Sequence, residues 1–211
     1  MTDATALARA LVDLWVGWGV EHVVLCPGSR SAPLAFASYD AAKAGRVLLH
    51  TRIDERTAGF LALGIAKTSG RPAVVFCTSG TAAANLHPAV LEAAHSGVPL
   101  VVVTADRPAS LRGTGANQTT DQVGLYGDAA PCFDISGPVP VPRPLGGPLH
   151  LNVQFVEPLT PSGQAPQLEW PSPPVGAGQV PSEGVLSIGP RTVVVAGDDA
   201  GPPARILAQD A

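Results

Sequence analysis

Apolar residues in the first hundred positions alternate between two rhythms. From Asp3 to Trp18 they recur at Leu7, Ala10, Leu11, Leu14 and Trp15, the spacing of one helix face, and Gly17 and Gly19 close the segment. His22-Val-Val-Leu-Cys26 is a short unbroken apolar run stopped by Pro27-Gly28, which predicts a buried strand and a turn. Ser31 to Ala42 reads as a helix with Pro33 in its first turn, and Val47 to His50 as a second strand. Asp54 to Thr68 reads as a helix whose charges are confined to its first turn and to Lys67. Ala73 to Cys77 predicts a third strand and Leu100 to Thr104 a fourth. Between them Thr81 to His95 predicts a helix that Pro88 can kink, with Gly97 where a C-cap falls.

Strands that are apolar throughout and separated by helices predict an α/β fold. The expected form is a doubly wound, mostly parallel sheet with helices on both faces, followed by a Pro/Gly-rich linker. Ligands of such sheets bind beyond the carboxyl ends of the strands. The loops there are Pro27–Ser31, Thr51–Glu55, Thr78–Thr81 and Ala105–Pro108, and they carry Ser29, Arg30, Glu55, Thr78, Ser79 and Arg107.

The second half changes character. Thirteen of the 22 prolines lie between Pro138 and Pro190, and one strand candidate, Leu149 to Phe155, stands among them. Residues 160–190 are rich in Pro, Gly, Ser and Gln without periodicity and read as a linker. Thr192 to Gly197 looks like the first strand of a further domain. The expected division is one domain over 1–159, a linker over 160–190 and the start of a truncated domain over 191–211. Phe133 to Leu149 holds five prolines and nothing helical, where parallel strands need a crossover that is usually a helix. Either irregular chain covers the last strand or the packing is incomplete. Reduced stability is expected, and a cooperative, high-temperature melt would contradict it.

Composition narrows the classes. With 14% charged residues, 5% aromatics, a net charge of -4 and no basic run, the chain offers no nucleic-acid surface. Cys26, Cys77 and Cys132 are widely spaced without C-x-x-C, which fits a reducing, cytoplasmic setting, and Cys26 and Cys77 end apolar runs and read as buried thiols. No signal-peptide pattern and no apolar stretch near the ~20 residues of a membrane span is present. There is no P-loop and no G-x-S-x-G, Gly113 to Gln118 is a weak dinucleotide fingerprint, and the five histidines lack ligand spacing.

What remains is anion chemistry and one acid. Arg30 follows a strand end and precedes a helix, where anions meet backbone N–H groups. Arg107 stands at another strand end, free to bind an anion or to pair with Asp106. Two such arginines suggest a substrate bearing carboxylates, which the guanidinium fork suits. Asn117 and Gln118 either cap a loop or donate amide hydrogen bonds to a ligand, and Asn85 reads as structural. Glu55 taken alone is a helix-start acid favoured by the helix dipole by ~0.3–1 kcal/mol.

The motifs also stand in a particular order. It runs Pro27-Gly-Ser-Arg-Ser-Ala-Pro33, Asp54-Glu-Arg-Thr-Ala-Gly-Phe60, Thr78-Ser-Gly-Thr-Ala-Ala-Ala-Asn85, Thr104-Ala-Asp-Arg-Pro108, Gly115-Ala-Asn-Gln118 and Asn152 to Leu159. Together they closely resemble the 2-succinyl-5-enolpyruvyl-6-hydroxy-3-cyclohexene-1-carboxylate synthases of menaquinone biosynthesis, densely up to about residue 130 and again over 149–159. The resemblance implies a thiamine diphosphate pyrimidine-binding domain. Glu55 would hydrogen-bond the aminopyrimidine nitrogen and so activate the thiazolium carbon, in a dry pocket that favours the protonated acid. Pro27, Thr78 and Ser79 would lie along the cofactor. Arg30, Arg107 and Gln118 match positions that bind the acidic substrates, 2-oxoglutarate and isochorismate, with Ser29 and Asn117 beside them.

That family carries a G-D-G…N motif for Mg2+ or Mn2+ in a later domain. The nearest stretch here is Gly197-Asp-Asp199, with no asparagine after it, so no metal ligand is assigned. The resemblance implies a homodimer or higher oligomer, a cofactor shared between subunits, and a chain inactive without its diphosphate-binding half, which a separate C-terminal chain could supply. The alternatives are a non-catalytic dimerising remnant, or another thiamine diphosphate carboligase or decarboxylase.

Overall fold

Asp3 starts the first helix by accepting the Ala6 N–H at 2.8 Å, which satisfies one orphan donor of α1 (Ala4–Gly17). This computed structural model describes residues 2–161 and 166–172, with Val193 and Ile206 alone beyond them. After α1 come β1 (His22–Leu25), α2 (Ala32–Lys43), β2 (Leu48–Thr51), α3 (Glu55–Ser69) and β3 (Ala73–Cys77). Then follow α4 (Thr81–Asn85), α5 (His87–Ser96), β4 (Leu100–Asp106), β5 (Cys132–Ile135) and β6 (Leu149–Gln154).

The six strands form one sheet in the order β2-β1-β3-β4-β6-β5, and every pairing is parallel. Alternate side chains feed two cores. Val23, Val74, Phe76, Val101 and Val103 pack with Leu7, Leu11 and Trp15 of α1 and with Leu34 of α2. Val24, Val75, Cys77 and Val102 face Ala58, Ala62 and Ala66 of α3 and Ala83, Ala89 and Ala93 of α4 and α5. The expected doubly wound, two-faced sheet is thus present. Cys26 and Cys77 are buried in the second core, and burial, helped by Glu55 and Asp54, pushes the Cys26 thiol up to about 12.

Three elements differ from expectation. The helix expected over Thr81–His95 is two helices meeting at Leu86, with Pro88 in the first turn of α5. Proline has no N–H to continue the ladder, and its ring would strike the carbonyl four residues back. The Tyr126 hydroxyl donates to one of the carbonyls there, Ala83 O, at 2.7 Å. β4 runs two residues past Thr104, to Asp106, because a polar network receives that acid. β5 was not foreseen: four residues with an acid among them, beside a proline, carry little strand signal. No helix crosses to β6. Irregular chain does so, with Val141 and Ile135 fully buried beside it, and β6 lies between β4 and β5. Most of the expected linker and all but Val193 and Ile206 of 191–211 fall outside the described residues. Within 166–172, Trp170 packs against the α1–α2 core.

The α5 side of β4, β6 and β5 also carries a buried polar row. Asn152 donates to Asp106 at 3.0 Å and to Asp134 at 2.9 Å, so its carbonyl is left to accept the Thr104 hydroxyl at 2.9 Å. Thr104 then has only lone pairs for His150 Nε2, 2.8 Å away. That fixes His150 as the Nε2–H tautomer. Its Nδ1 is buried without a partner, and the Tyr126 ring meets it edge-on at 4.6 Å.

Burial lowers the His150 pKa from 6.5 to about 4. Above pH 6.5 neither folded nor unfolded histidine is charged, and the group has no effect on stability. Between 6.5 and 4 the unfolded chain takes a proton that the folded chain refuses, so stability falls as pH falls. The loss reaches about 3 kcal/mol below pH 4. Urea unfolding at stepped pH should show this slope, and His150→Gln, which keeps a donor to Thr104, should flatten it. An unchanged slope would refute the assignment.

Candidate functional site

The chain leaves β1 for β2 on one side and returns to β3 on the other, so the carboxyl ends of β1 and β3 open a switch point. The Pro27–Ser31 loop closes down on it. A Cβ at Gly28 would sit 2.3 Å from Thr78 Cβ, so only glycine lets the two loops touch. Ser31, fully buried, donates to Gly28 O at 3.2 Å and locks the turn onto α2. Thr78 and Ser79 are buried beneath, while Pro27 and Ser29 are exposed.

A second contact joins the β3 and β4 loops. Gly80 has φ +84°, and a side chain there would lie 3.0 Å from Gln118 O. Gln118 itself has φ 56°, an uncommon conformation for a non-glycine residue. Its carbonyl accepts Ser79 Oγ at 3.0 Å and Arg107 Nη1 at 3.3 Å, and its side chain donates to Ser79 O at 3.2 Å. Arg107 Nη1 also reaches Ser79 Oγ at 3.2 Å. Gln122, which sequence reasoning missed, holds this knot from below. It accepts the Gly80 N–H at 2.9 Å and donates to Ala105 O at 3.2 Å and Asn152 at 3.0 Å. Asn117 is exposed and makes no side-chain hydrogen bond among the described residues.

Arg30 lies over the same end of the sheet, its side chain only 11% exposed. It donates to Phe155 O at 3.1 Å and pairs with Glu157 at 3.5 Å, but its Nε is buried with no partner. Burial, and then the charge of Arg107, hold its pKa below the ordinary value. Arg107 has no carboxylate partner among the described residues. Asp106, the expected competitor, is taken by other donors.

Glu55 opens α3 beyond the Asp54 cap, whose carboxylate accepts the Thr57 N–H at 2.7 Å. Its Oε2 accepts Asn85 Nδ2 at 3.2 Å, and its Oε1 has no hydrogen-bond partner among the described residues. The Asn85 amide therefore does more than satisfy its own helix. The signal was its place at the end of Thr78–Asn85, three residues before Pro88. Glu55 is only half-buried, so the described residues do not form the expected dry pocket by themselves. They hold no cluster of three metal-ligating side chains, and none of their helices is long and apolar enough to cross a membrane.

The sequence profile described as "Thiamine pyrophosphate enzyme, N-terminal TPP binding domain" matches residues 4–125. The chain belongs to the thiamine pyrophosphate enzyme family. The matched span of this family's domain runs from α1 through the loop bearing Gln118 and Gln122. Among curated members, the 2-succinyl-5-enolpyruvyl-6-hydroxy-3-cyclohexene-1-carboxylate synthase of Nocardioides sp. is 62% identical over 209 residues, covering 99% of this chain and 38% of the relative. The synthase of Saccharopolyspora erythraea is 54% identical over 194 residues, covering 82% of this chain and 34% of the relative. That of Kineococcus radiotolerans is 48% identical over 242 positions, covering all of this chain and 43% of the relative. The chain thus spans less than half the length of these thiamine pyrophosphate enzymes.

Replacing Gln122 by Leu strands the buried Gly80 N–H. It should cost on the order of 3 kcal/mol in urea unfolding, since each orphaned buried group costs roughly 1–3 kcal/mol. A loss below about 0.5 kcal/mol, the scale of an ordinary surface change, would show that Gln122 does not hold the knot.

Proposed function

We propose that this chain is the pyrimidine-binding part of a thiamine diphosphate-dependent carboligase. The enzyme would decarboxylate 2-oxoglutarate and join the four-carbon remainder to isochorismate, in menaquinone biosynthesis. The names of the relatives support this reading, and the arginine pair carries it. Arg30 has a buried N–H without an acceptor, and Arg107 lacks a carboxylate among the described residues. Two guanidinium groups brought together at strand ends are stabilised by an anion between them, and both proposed substrates are acids.

The residues present fit the cofactor's pyrimidine. Glu55 offers one oxygen while Asn85 fixes the other, and Pro27, Thr78 and Ser79 lie at the same switch point. When bound, thiamine diphosphate supplies a carbon nucleophile and an electron sink for loss of carbon dioxide. Glu55 would hold the proton at Oε1 toward the ring nitrogen. Arg30 and Arg107 would receive carboxylates. The Gln118 amide, with one N–H committed to Ser79 O, would offer its second N–H to a carboxylate, with Ser29 and Asn117 adding exposed polar groups. The diphosphate and its Mg2+ or Mn2+ would be held by a different part of the enzyme. The active form would be a homodimer or higher oligomer in the cytoplasm.

Two measurements test this. Calorimetric titration with 2-oxoglutarate should show Arg30→Gln and Arg107→Gln each weakening binding about tenfold or more. Unchanged binding in both would sink the anion site. A mixture of this chain with a diphosphate-binding half, thiamine diphosphate, Mg2+ and both substrates should release carbon dioxide. Glu55→Gln should slow that release by about a hundredfold or more. No release from two folded partners would favour the non-catalytic remnant.

A further inference from the structure

Three arginines, Arg30, Arg107 and Arg112, share the carboxyl end of the sheet with three acids, Asp106, Asp134 and Glu157. The charges are not shared evenly. Asp106 is 1% exposed, and its oxygens accept the Arg107 backbone N–H at 2.7 Å, Arg112 Nε at 3.0 Å and Asn152 Nδ2 at 3.0 Å, with Arg112 Nη2 ion-paired to it at 2.9 Å. Asp134 accepts Arg112 Nη2 at 2.8 Å and Nη1 at 2.9 Å, Asn152 at 2.9 Å and Gln154 at 2.9 Å. Arg112 therefore lies between two carboxylates from different strands and fills most of their capacity. Arg107, bonded to Asp106 through its backbone, points its guanidinium elsewhere, at the neutral acceptors Ser79 Oγ and Gln118 O.

We infer that Arg112 is a positioning residue that occupies Asp106 and Asp134 so that the Arg107 guanidinium stays open to an anionic ligand. The inference rests on the reading of Arg107 as an anion-binding group. Asp106 is the nearest acid in sequence to Arg107, at one strand end, and a carboxylate freed of Arg112 competes with any ligand for that cation. The fields overlap: Arg30 responds to Arg107, Glu157 and Asp106 alike. Burial pushes the Asp134 carboxyl up, but the hydrogen bonds from Arg112, Asn152 and Gln154 outweigh it and hold the group charged. Two fixed negative charges without Arg112 would lower the potential at the ligand site.

A purely structural Arg112 would act through its fork, which lysine lacks; a charge-neutralising Arg112 acts through its charge, which lysine keeps. The probe is 2-oxoglutarate, titrated calorimetrically into the full chain. Arg112→Gln should weaken binding about tenfold or more, Arg112→Lys should stay within about threefold of the parent, and Arg112→Gln with Asp134→Asn, which removes one of the two uncompensated charges, should recover part of the loss. Hydrogen exchange over residues 107–121 reports whether the loop stays ordered in each variant. If Arg112→Lys binds as poorly as Arg112→Gln and Asp134→Asn restores nothing, the inference is overturned, whatever the loop order. If Arg107→Gln weakens binding but Arg112→Gln does not, the inference alone falls. If Arg107→Gln changes nothing, the anion-site reading falls and takes the inference with it.

Discussion

Asp106 is a carboxylate buried at the end of a central strand, and a carboxylate can only accept hydrogen bonds. That restriction propagates. Asn152 must turn its N–H groups toward Asp106 and Asp134, so its oxygen faces Thr104 and Gln122. Gln122 must then offer its own oxygen to the Gly80 N–H. One acid thereby sets the orientation of side chains on β4, β6 and the intervening loop, and through Gly80 it fixes the start of α4. Such a network stabilises only when every member is satisfied, because an unpaired group in a low dielectric is costly. The network's one unpartnered atom among the described residues, His150 Nδ1, sits at its far end, on a ring that burial keeps neutral down to about pH 4.

The sheet supplies the frame for this. Parallel strands bring four loops to one end, and the alanine-rich packing of α3 against α4 and α5 lets those helices lie close. The break at Leu86 ends α4 at Asn85 and brings its amide against Glu55. Helix ends and strand ends thus meet at the switch point, where short polar side chains reach across from one element to another.

Much of the fold was legible because apolar periodicity is a local property. The runs at His22, Ala73 and Leu100 each declared a strand, and the loops that follow the strand ends placed Arg30, Glu55 and Arg107 at one end of the sheet. What escaped was non-local or small. β5 is four residues with an acid in the middle. Gln122 and Asn152 find partners 17 to 48 residues away, and Arg112 reaches Asp134 across 22, at spacings that no window along the chain shows. Asn85 looked structural on an apolar helix, because its carboxylate partner is 30 residues away. The alternative of Arg107 pairing with Asp106 could be judged only once Arg112 was seen to fill that acid. The dry setting expected for Glu55 depended on neighbours that the described residues do not provide.

Leu48 on the edge strand and Phe60 on the outer side of α3 can drift one at a time, since each is exposed. Asp106, Arg112, Asp134, Asn152 and Gln122 cannot. A single exchange among them orphans a buried partner, and only a matched second exchange would repair it. The five behave as one heritable unit spread over three strands and a loop. Descendants of this sequence should therefore either retain the whole set or replace it together, even where the surrounding apolar core has been freely rewritten.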